Sequence, residues 1–293
     1  MLAYLLLLIN VFLVLINTAV NSLFIFMVAV VKVFLPTPRL KVLATHVADQ
    51  SMWLWATVNL KILSLSNRVT WDIEGLEDLR KDSWYLLISN HLSWTDIVVL
   101  CSVFKDRIPM PKFFLKQQLL YVPFIGMACW ALDMPFMRRY SRAYLLRHPE
   151  KRGQDLATTR RSCEKFQYQP TTVVNYVEGT RFTEQKRQKS PMPYEHLLMP
   201  KTGGIAYTLA AMGEQFDKII DVTLAYPDNR DRPFKDMLMG KMTRIVVRVR
   251  LLPVDENVTG DYFHDKRFKR QFQQWLGNVW QDKDEALKRI NQS

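Results

Sequence analysis

The most suggestive chemistry in the sequence lies between Asn90 and Asp96, where a histidine and an aspartate stand five residues apart. An apolar run precedes His91 and a helical pattern begins at Ser93, so the histidine stands where a predicted buried strand runs into a helix. A carboxylate in the first helical turn can accept the Nδ1 proton, which fixes the tautomer and makes Nε2 the better base. No candidate nucleophile accompanies the pair at triad spacing. The pair favours a general base acting directly on a substrate hydroxyl, although Ser93 and Asp96 also have the spacing of a helix capping box.

Two further segments combine a cation with a tight turn. Lys116 follows a predicted strand and precedes a turn that contains Pro123 and Gly126. Lys201 lies in PKTGG (200–204), which opens a predicted helix and offers a group of backbone amides to an anion. Taken singly, each segment also fits a surface lysine beside an ordinary turn.

A third segment, VEGTRF (177–182), follows the predicted strand at residues 172–177. Ligands commonly bind at the carboxyl ends of parallel strands. Gly179 allows the backbone to approach a ligand closely, and Arg181 offers a bidentate fork for a phosphate group.

The elements that must position these residues alternate between strand and helix. Short apolar or alternating runs predict strands at residues 69–74, 84–89, 112–115, 132–136, 172–177, 219–225 and 243–251. Helical patterns lie at 93–104, 154–166, 204–212 and, as a long amphipathic helix, 261–290. This alternation predicts an α/β fold with a largely parallel sheet flanked by helices.

The N-terminus carries the strongest apolar signal, since no charged residue precedes Lys32. Roughly 20 helical residues cross a bilayer, and the segment lacks the basic start and cleavage site of a signal peptide. We therefore predict a retained hydrophobic helical membrane anchor, which Pro36 and Pro38 separate from a second helix. The predicted division is residues 1–65 as membrane-anchoring helices and 66–293 as the α/β domain with its C-terminal amphipathic helix. The basic residues after the first helix favour a cytoplasmic location for that domain.

Two features of the apolar regions have more than one interpretation. Asn10, Asn17 and Asn21 share one helical face, which fits either helix packing through amide hydrogen bonds or a wet stripe in one leaflet. Residues 119–136 contain a single charge, Asp133, and could form a second span. The proline and glycine residues of this stretch favour a buried loop and strand instead. Trp53 and Trp55 suit a protein core and a headgroup interface equally well.

The charge balance limits the partners. Lys and Arg number 40 against 28 Asp and Glu, a net charge of +12, which fits anionic lipid, an acidic protein or nucleic acid. A membrane anchor without any nucleic-acid-binding signature argues against nucleic acid. The three cysteines are far apart, and neither they nor the histidines have metal-ligand spacing, so we expect no disulfide and no metal.

In this order, NHLSWTD, KQQLLYVPFIG, VEGTRF and PKTGG resemble the four blocks of the glycerolipid acyltransferase family, which includes the 1-acylglycerol-3-phosphate acyltransferases. The resemblance covers about residues 71–227. YLLISNHLSWTDIVVLC and LDMPFMRRYSRAYLLRHPE are similar to the YihG-type branch of enterobacterial inner-membrane acyltransferases. This likeness implies a bacterial inner (cytoplasmic) membrane location, with the catalytic domain on the cytoplasmic side.

The resemblance implies a role for each matching residue. His91 would be the general base and Asp96 would orient it. The acceptor phosphate would be held by Glu178, Gly179 and Arg181, with Lys116 assisting. The secondary positions around the pocket are Asn90, Ser93, Pro123, Gly126, Thr180, Arg138, Arg139, Lys201 and Gly203.

The resemblance thus implies a membrane-bound acyltransferase. It would move a fatty acyl group from acyl-CoA or acyl carrier protein to the free hydroxyl of a lysophospholipid, foremost 1-acylglycerol-3-phosphate. It would need no cofactor, since the thioester is itself the acyl donor substrate. The alternatives are another acceptor, such as lysophosphatidylglycerol, or a non-catalytic lipid-surface binding protein on the same fold. Two departures bear on acceptor and acyl-chain preference: the chain has Tyr176-Val177 where the family often has Phe-Pro, and Ala225-Tyr226-Pro227 where it has a Val-Pro pair.

Overall fold

The structure is a computed structural model that describes residues 1–137, 147–148, 163, 166, 169–189 and 193–292. Its strands are β1 Thr70–Glu74, β2 Tyr85–Ser89, β3 Pro111–Phe113, β4 Leu115–Lys116, β5 Phe136–Met137, β6 Thr172–Tyr176, β7 Lys218–Ala225 and β8 Arg244–Pro253. Its helices are α1 Leu2–Phe34, α2 Pro38–Ser64, α3 Thr95–Phe104, α4 Ile125–Ala131, α5 Glu184–Arg187, α6 Thr202–Met212, α7 Pro233–Leu238 and α8 Lys266–Gln292.

Six of the strands form one sheet, in the order β1-β8-β7-β2-β6-β3, and β4 and β5 form a separate parallel pair. Neighbouring strands of the large sheet run parallel, except that β7 and β8 are antiparallel. The predicted α/β fold with a largely parallel, helix-flanked sheet is therefore confirmed.

The central strand β2 is buried on both faces. Tyr85 and Leu87 contribute to one hydrophobic cluster, which includes residues of α2 and α3. Leu86 and Ile88 point into a second cluster, which includes residues of α6 and α8. Because side chains alternate between faces along a strand, helices on both sides cover residues 85–88 of this strand from solvent. The chemistry must therefore lie beyond the strand ends.

The face of α1 that packs on the protein contains its three asparagines. Its buried residues are Asn10, Asn17, Asn21, Ser22 and Ile25. The Asn17 amide donates to Asn59 Oδ1 on α2 at 2.9 Å, while Phe12 and Val20 are exposed. The asparagines thus pack one helix on another. The two tryptophans of α2 also face the protein: Trp53 is buried, and Trp55 Nε1 donates to Thr18 Oγ1 at 3.0 Å.

Among the described residues, α1 is the helix that is long and apolar enough to cross a membrane. α2 lies against the sheet, where Asp49 accepts a 2.6 Å hydrogen bond from Lys112, a buried residue of β3. α2 is thereby tied directly to the α/β fold.

The prediction for residues 119–136 is wrong in part. The stretch forms a 3₁₀ helix, Gln117–Tyr121, and the seven-residue helix α4, and Tyr121, Phe124 and Trp130 are exposed rather than buried. Of the strand predicted at 132–136 only Phe136 remains, because Asp133 adopts a left-handed φ of 57° and Pro135 cannot donate to a sheet.

The remaining elements follow the predictions with smaller changes. The strand predicted at 112–115 is divided into β3 and β4. The helix predicted at 154–166 lies outside the described residues, apart from Cys163 and Phe166.

Candidate active site

His91 and Asp96 lie at the carboxyl edge of the sheet, where the parallel strands β2, β6 and β7 end. β2 ends at Ser89 and α3 begins at Thr95, so the connecting turn carries the histidine and the first helical turn carries the aspartate. His91 Nδ1 lies 2.8 Å from Asp96 Oδ2. This geometry assigns the Nδ1 proton to the bond with Asp96 and leaves Nε2 as the basic ring nitrogen.

The Asp96 carboxylate is fully buried and is held by three further donors. The backbone amides of Leu92 and Ser93 donate to Oδ2 at 2.7 and 2.9 Å, and the Tyr226 hydroxyl donates to Oδ1 at 2.8 Å. The bond from the Ser93 amide to the Asp96 carboxylate is one of the two hydrogen bonds of the predicted capping box. The second bond, from the Asp96 amide to the Ser93 side chain, is not formed, because Ser93 Oγ accepts from the Thr95 amide.

Asn90 is a structural residue at this edge. Its side chain is buried and bonds the backbone of Leu224 twice, donating to the carbonyl oxygen and accepting from the amide, both at 2.9 Å. These two bonds fix the end of β2 to β7 and thereby orient the turn that carries His91.

The segment after β6 lies directly beside the histidine. The His91 ring stacks on Tyr176, with centroids 4.0 Å apart and 17° between the planes. The backbone amide of Phe182 donates to the His91 carbonyl oxygen at 2.7 Å. The His91 side chain retains 17% exposure, so it can be reached from solvent.

Two cationic side chains of this segment, Arg181 and Lys186, lie near each other and near Lys116 of β4. Arg181 is exposed and its guanidinium lies 5.2 Å from the centre of the Trp94 ring. Lys186 Nζ donates to Thr180 Oγ1 at 2.8 Å and to the Arg181 carbonyl oxygen at 2.7 Å. Partial burial lowers the pKa of Lys186, and the positive charges of Arg181 and Lys116 lower it further. The three cations therefore share one region, a suitable place for an anion.

Lys186 was missed by sequence reasoning. It lies in the charged run EQKRQK (184–189), which has the composition of an ordinary solvated surface. Only the fold shows that its side chain turns back onto Thr180.

Glu178 lies in the protein interior, away from the surface where a phosphate group would bind. It is 1% exposed, and neither carboxyl oxygen has a hydrogen-bond partner among the residues that the structure describes. Burial raises the pKa of Glu178 well above its ordinary value, and the charge of Asp96 raises it further; the Leu198 amide and Lys283 oppose this in part. A direct contact between Glu178 and a phosphate therefore stays a prediction.

Glycine is required at two turns here for steric reasons. Gly179 has a φ of +67°, a conformation that strains other residues. A Cβ on Gly126, in the first turn of α4, would overlap the Leu120 carbonyl oxygen. At the start of α6 the tight position is Gly204, where a Cβ would come within 2.7 Å of Asn175 Nδ2, and not the predicted Gly203.

The other predicted positions are more peripheral or not described. Pro123 is exposed. The Lys201 amide donates to the Val177 carbonyl oxygen at 2.9 Å, which brings the start of α6 beside the segment after β6. Arg138 and Arg139 lie outside the described residues. Within the described ranges, no group of three or more His, Cys, Asp or Glu side chains could hold a metal ion.

Comparisons with known proteins identify a family for the part of the chain that contains this site. Residues 70–227 match a family model described as Acyltransferase. Human 1-acyl-sn-glycerol-3-phosphate acyltransferase gamma is 29% identical over 190 residues, covering 62% of this chain and 46% of the relative. Lysocardiolipin acyltransferase 1 of Mus musculus is 26% identical over 222 residues, covering 71% and 54%. The chain thus spans about half the length of these curated relatives.

One solved structure shares the fold over nearly the whole chain. It is the crystal structure of the 1-acyl-sn-glycerophosphate (LPA) acyltransferase PlsC from Thermotoga maritima, with a TM-score of 0.60 and 15% sequence identity. The match covers 97% of this chain and 95% of that chain.

Proposed function

The chain belongs to the acyltransferase family, and from this premise we propose that it transfers a fatty acyl group from a thioester to the free hydroxyl of a lysophospholipid. The observation that carries the proposal is the 2.8 Å contact between His91 Nδ1 and Asp96 Oδ2, because it directs the basic Nε2 away from Asp96. The names of the relatives support a lysophospholipid as the acceptor class.

In the proposed reaction, His91 Nε2 takes the proton of the acceptor hydroxyl as the hydroxyl oxygen attacks the thioester carbonyl. A C–O bond forms, and the carbonyl electron pair moves onto oxygen, where backbone amides near the strand ends would stabilise the oxyanion. Collapse of this intermediate breaks the C–S bond, and His91 returns the proton to the departing sulfur, so that a free thiol leaves. The acyl donor is acyl-CoA or acyl carrier protein, and the reaction needs no further cofactor.

The state of the cysteines supports direct transfer rather than an acyl-enzyme on sulfur. Burial raises the pKa of Cys101, Cys129 and Cys163 to about 12 in each case. Since the thiolate is the nucleophilic form, these protonated thiols are poor candidates for accepting the acyl group.

We assign the acceptor phosphate to the cations Lys116, Arg181 and Lys186. A phosphate monoester carries about −1.5 to −2 charges at pH 7, more than the single charge of a phosphodiester. Three cations in one region therefore favour 1-acylglycerol-3-phosphate as the acceptor and phosphatidic acid as the product. A lysophospholipid with a diester headgroup, such as lysophosphatidylglycerol, is the second candidate, supported by the similarity to a lysocardiolipin acyltransferase.

An acceptor panel tests this function. The purified full-length protein is supplied with acyl-CoA or acylated carrier protein, and with 1-acylglycerol-3-phosphate, lysophosphatidylglycerol, monolysocardiolipin or lysophosphatidylcholine. We expect the highest kcat/KM with 1-acylglycerol-3-phosphate, measured by mass spectrometry of the product. A preference for a diester acceptor would favour the second candidate. Transfer to none of them with either donor would overturn the function and favour a lipid-binding protein without turnover.

We also propose that the protein works on a membrane, with residues 1–65 as the anchoring unit and 66–293 as the catalytic domain. α1 presents apolar side chains outward, and the exposed Trp130 of α4 lies beside Phe26 of α1, with ring centroids 6.5 Å apart. Lys32 pairs with Asp133 at 3.4 Å at the end of this apolar surface. The proposed location is the cytoplasmic side of a bacterial inner membrane, as for the YihG-type branch.

A further inference from the structure

Tyr226 stands at one of the two places where the chain departs from the family pattern. Its hydroxyl donates to Asp96 Oδ1 at 2.8 Å, across 130 residues of sequence, and its side chain is buried. Among the described residues, Tyr226 is the residue whose side chain donates to Oδ1, whereas the two backbone amides and His91 all occupy Oδ2.

We propose that Tyr226 is a positioning residue that holds the Asp96 carboxylate in place and sets how strongly His91 retains its proton. The inference rests on the proposed role of His91 as the base. It makes Tyr226 part of the apparatus that tunes the reaction, although the tyrosine does not itself touch the substrate.

The hydrogen bond between Tyr226 and Asp96 is strengthened by its buried location. Both partners are buried, so water does not compete for Oδ1, and a hydrogen bond in such surroundings is stronger than one in water. Burial raises the pKa of Tyr226 well above its ordinary value, and the charge of Asp96 and the bond itself raise it further. The phenol therefore remains a donor throughout the pH range in which enzymes are assayed.

Other ionisable groups also surround the pair. Tyr176 and Glu178 face it from the end of β6, Cys101 of α3 lies near Tyr176, and Lys283 of α8 lies near Glu178. Burial raises the pKa of Tyr176, Glu178 and Cys101, which disfavours a negative charge on each of them. Asp96 is therefore the charge that stabilises protonated His91, and Tyr226 shares that charge.

This arrangement determines the direction in which Tyr226 shifts the proton equilibrium of His91. A donor on Oδ1 stabilises the carboxylate and draws negative charge away from Oδ2, which weakens the attraction of Asp96 for protonated His91. Removing the hydroxyl should strengthen that attraction. His91 should then keep its proton to higher pH.

The test follows the His91 ring by NMR in the full-length protein labelled at histidine Cε1, with the signal assigned by His91→Gln. In Tyr226→Phe, the midpoint of the His91 titration should move to higher pH by about half to one pH unit. The acid limb of the kcat/KM profile should move by the same amount. Tyr85→Phe is the matched control, since Tyr85 is also buried and accepts a 3.0 Å bond from the Arg80 amide, but it starts β2 at the opposite edge of the sheet.

A second change keeps the proposal testable if Tyr226→Phe folds poorly. Site-specific 3-fluorotyrosine at position 226 retains the ring and is a stronger donor, so the midpoint should move to lower pH. A His91 midpoint that is unchanged, or that moves against these signs, would overturn the proposal. The titration does not depend on turnover, whereas failure of the proposed function would appear as no acyl transfer by the wild-type protein to any acceptor of the panel. The two failures are therefore distinguishable.

Discussion

Lys283 of α8 and Asp221 of β7 form an ion pair in the interior of the protein, with Nζ 2.6 Å from Oδ1 and both side chains fully buried. Lys283 also donates to the Val222 carbonyl oxygen at 2.6 Å, and Arg250 of β8 binds Asp221 Oδ2 at 2.8 Å. The C-terminal helix is thereby fixed to the strand that leads to Tyr226. We expect the ion pair to stabilise the fold and to hold the end of β7 in position.

Replacing Lys283 by Met should leave the Asp221 charge buried with one partner fewer. Breaking a buried pair in this way costs about 3–5 kcal/mol of unfolding free energy. Lys288→Met is the control on the same helix, because Lys288 is exposed and lies 3.9 Å from Glu195, an arrangement that contributes about 0–1 kcal/mol. Denaturant unfolding of both variants checks this, and equal stability of the two would contradict it.

Glu178→Gln should stabilise the protein near neutral pH. Burial raises the pKa of Glu178 in the folded state, so its contribution to stability is fully present below the ordinary value of 4.5 and is lost as pH rises through the raised pKa. The Tm advantage of the glutamine variant should therefore grow as pH increases from about 4.5. Thermal melts across pH measure it, with the exposed Glu77→Gln as the control. A difference that is constant with pH would show that Glu178 does not titrate in this way.

Arg181→Lys should weaken acceptor binding selectively, because lysine keeps the charge but loses the bidentate fork. A charge-assisted hydrogen bond is worth about 1.5–3 kcal/mol, which corresponds to a rise in acceptor KM of roughly tenfold to a hundredfold. The KM for the thioester should change little. Arg270→Lys, at an exposed position on α8, provides the control. If both KM values rise together and Tm falls, Arg181 braces the loop instead of binding the phosphate.

Aspartate at Phe12 and Val20 should release much of the protein from membranes. Both residues are exposed on α1, so the changes leave the buried asparagine contacts in place. A charged residue at the centre of a membrane helix costs about 2.5–3.5 kcal/mol on insertion scales. Flotation with anionic vesicles measures the bound fraction, with Met199→Asp as the exposed control. Full retention of the double variant would mean that α1 does not enter the lipid.

The sequence predicted the large sheet well because its strands are continuous apolar runs bounded by turn residues. It failed at residues 119–136 for a physical reason: an apolar pattern does not distinguish side chains buried in protein from those exposed at the surface. Tyr121 and Trp130 belong to the second group. The same ambiguity left the role of Trp53 open until α2 was seen to pack against the sheet.

The candidate site was predictable where its residues are near one another in sequence. His91 and Asp96 are five positions apart, and the short turn from β2 into α3 brings the two side chains together. No local pattern could show that Tyr226 reaches Asp96, since that contact depends on the order of β2 and β7 in the sheet. Lys186 was missed because its neighbours in sequence are charged and gave no sign of its contact with Thr180.

The most direct test of the central claim is acyl transfer by His91→Ala, measured with 1-acylglycerol-3-phosphate and a fatty acyl thioester in the purified full-length protein. His264→Ala is the matched control, because His264 also lies 2.9 Å from an aspartate, Asp261, but on the exposed surface. We expect His91→Ala to lower kcat by about 10²–10⁴-fold with an unchanged Tm, and His264→Ala to transfer at the wild-type rate. A folded His91→Ala protein that transfers at a rate near that of the wild type would contradict the assignment of His91 as the base.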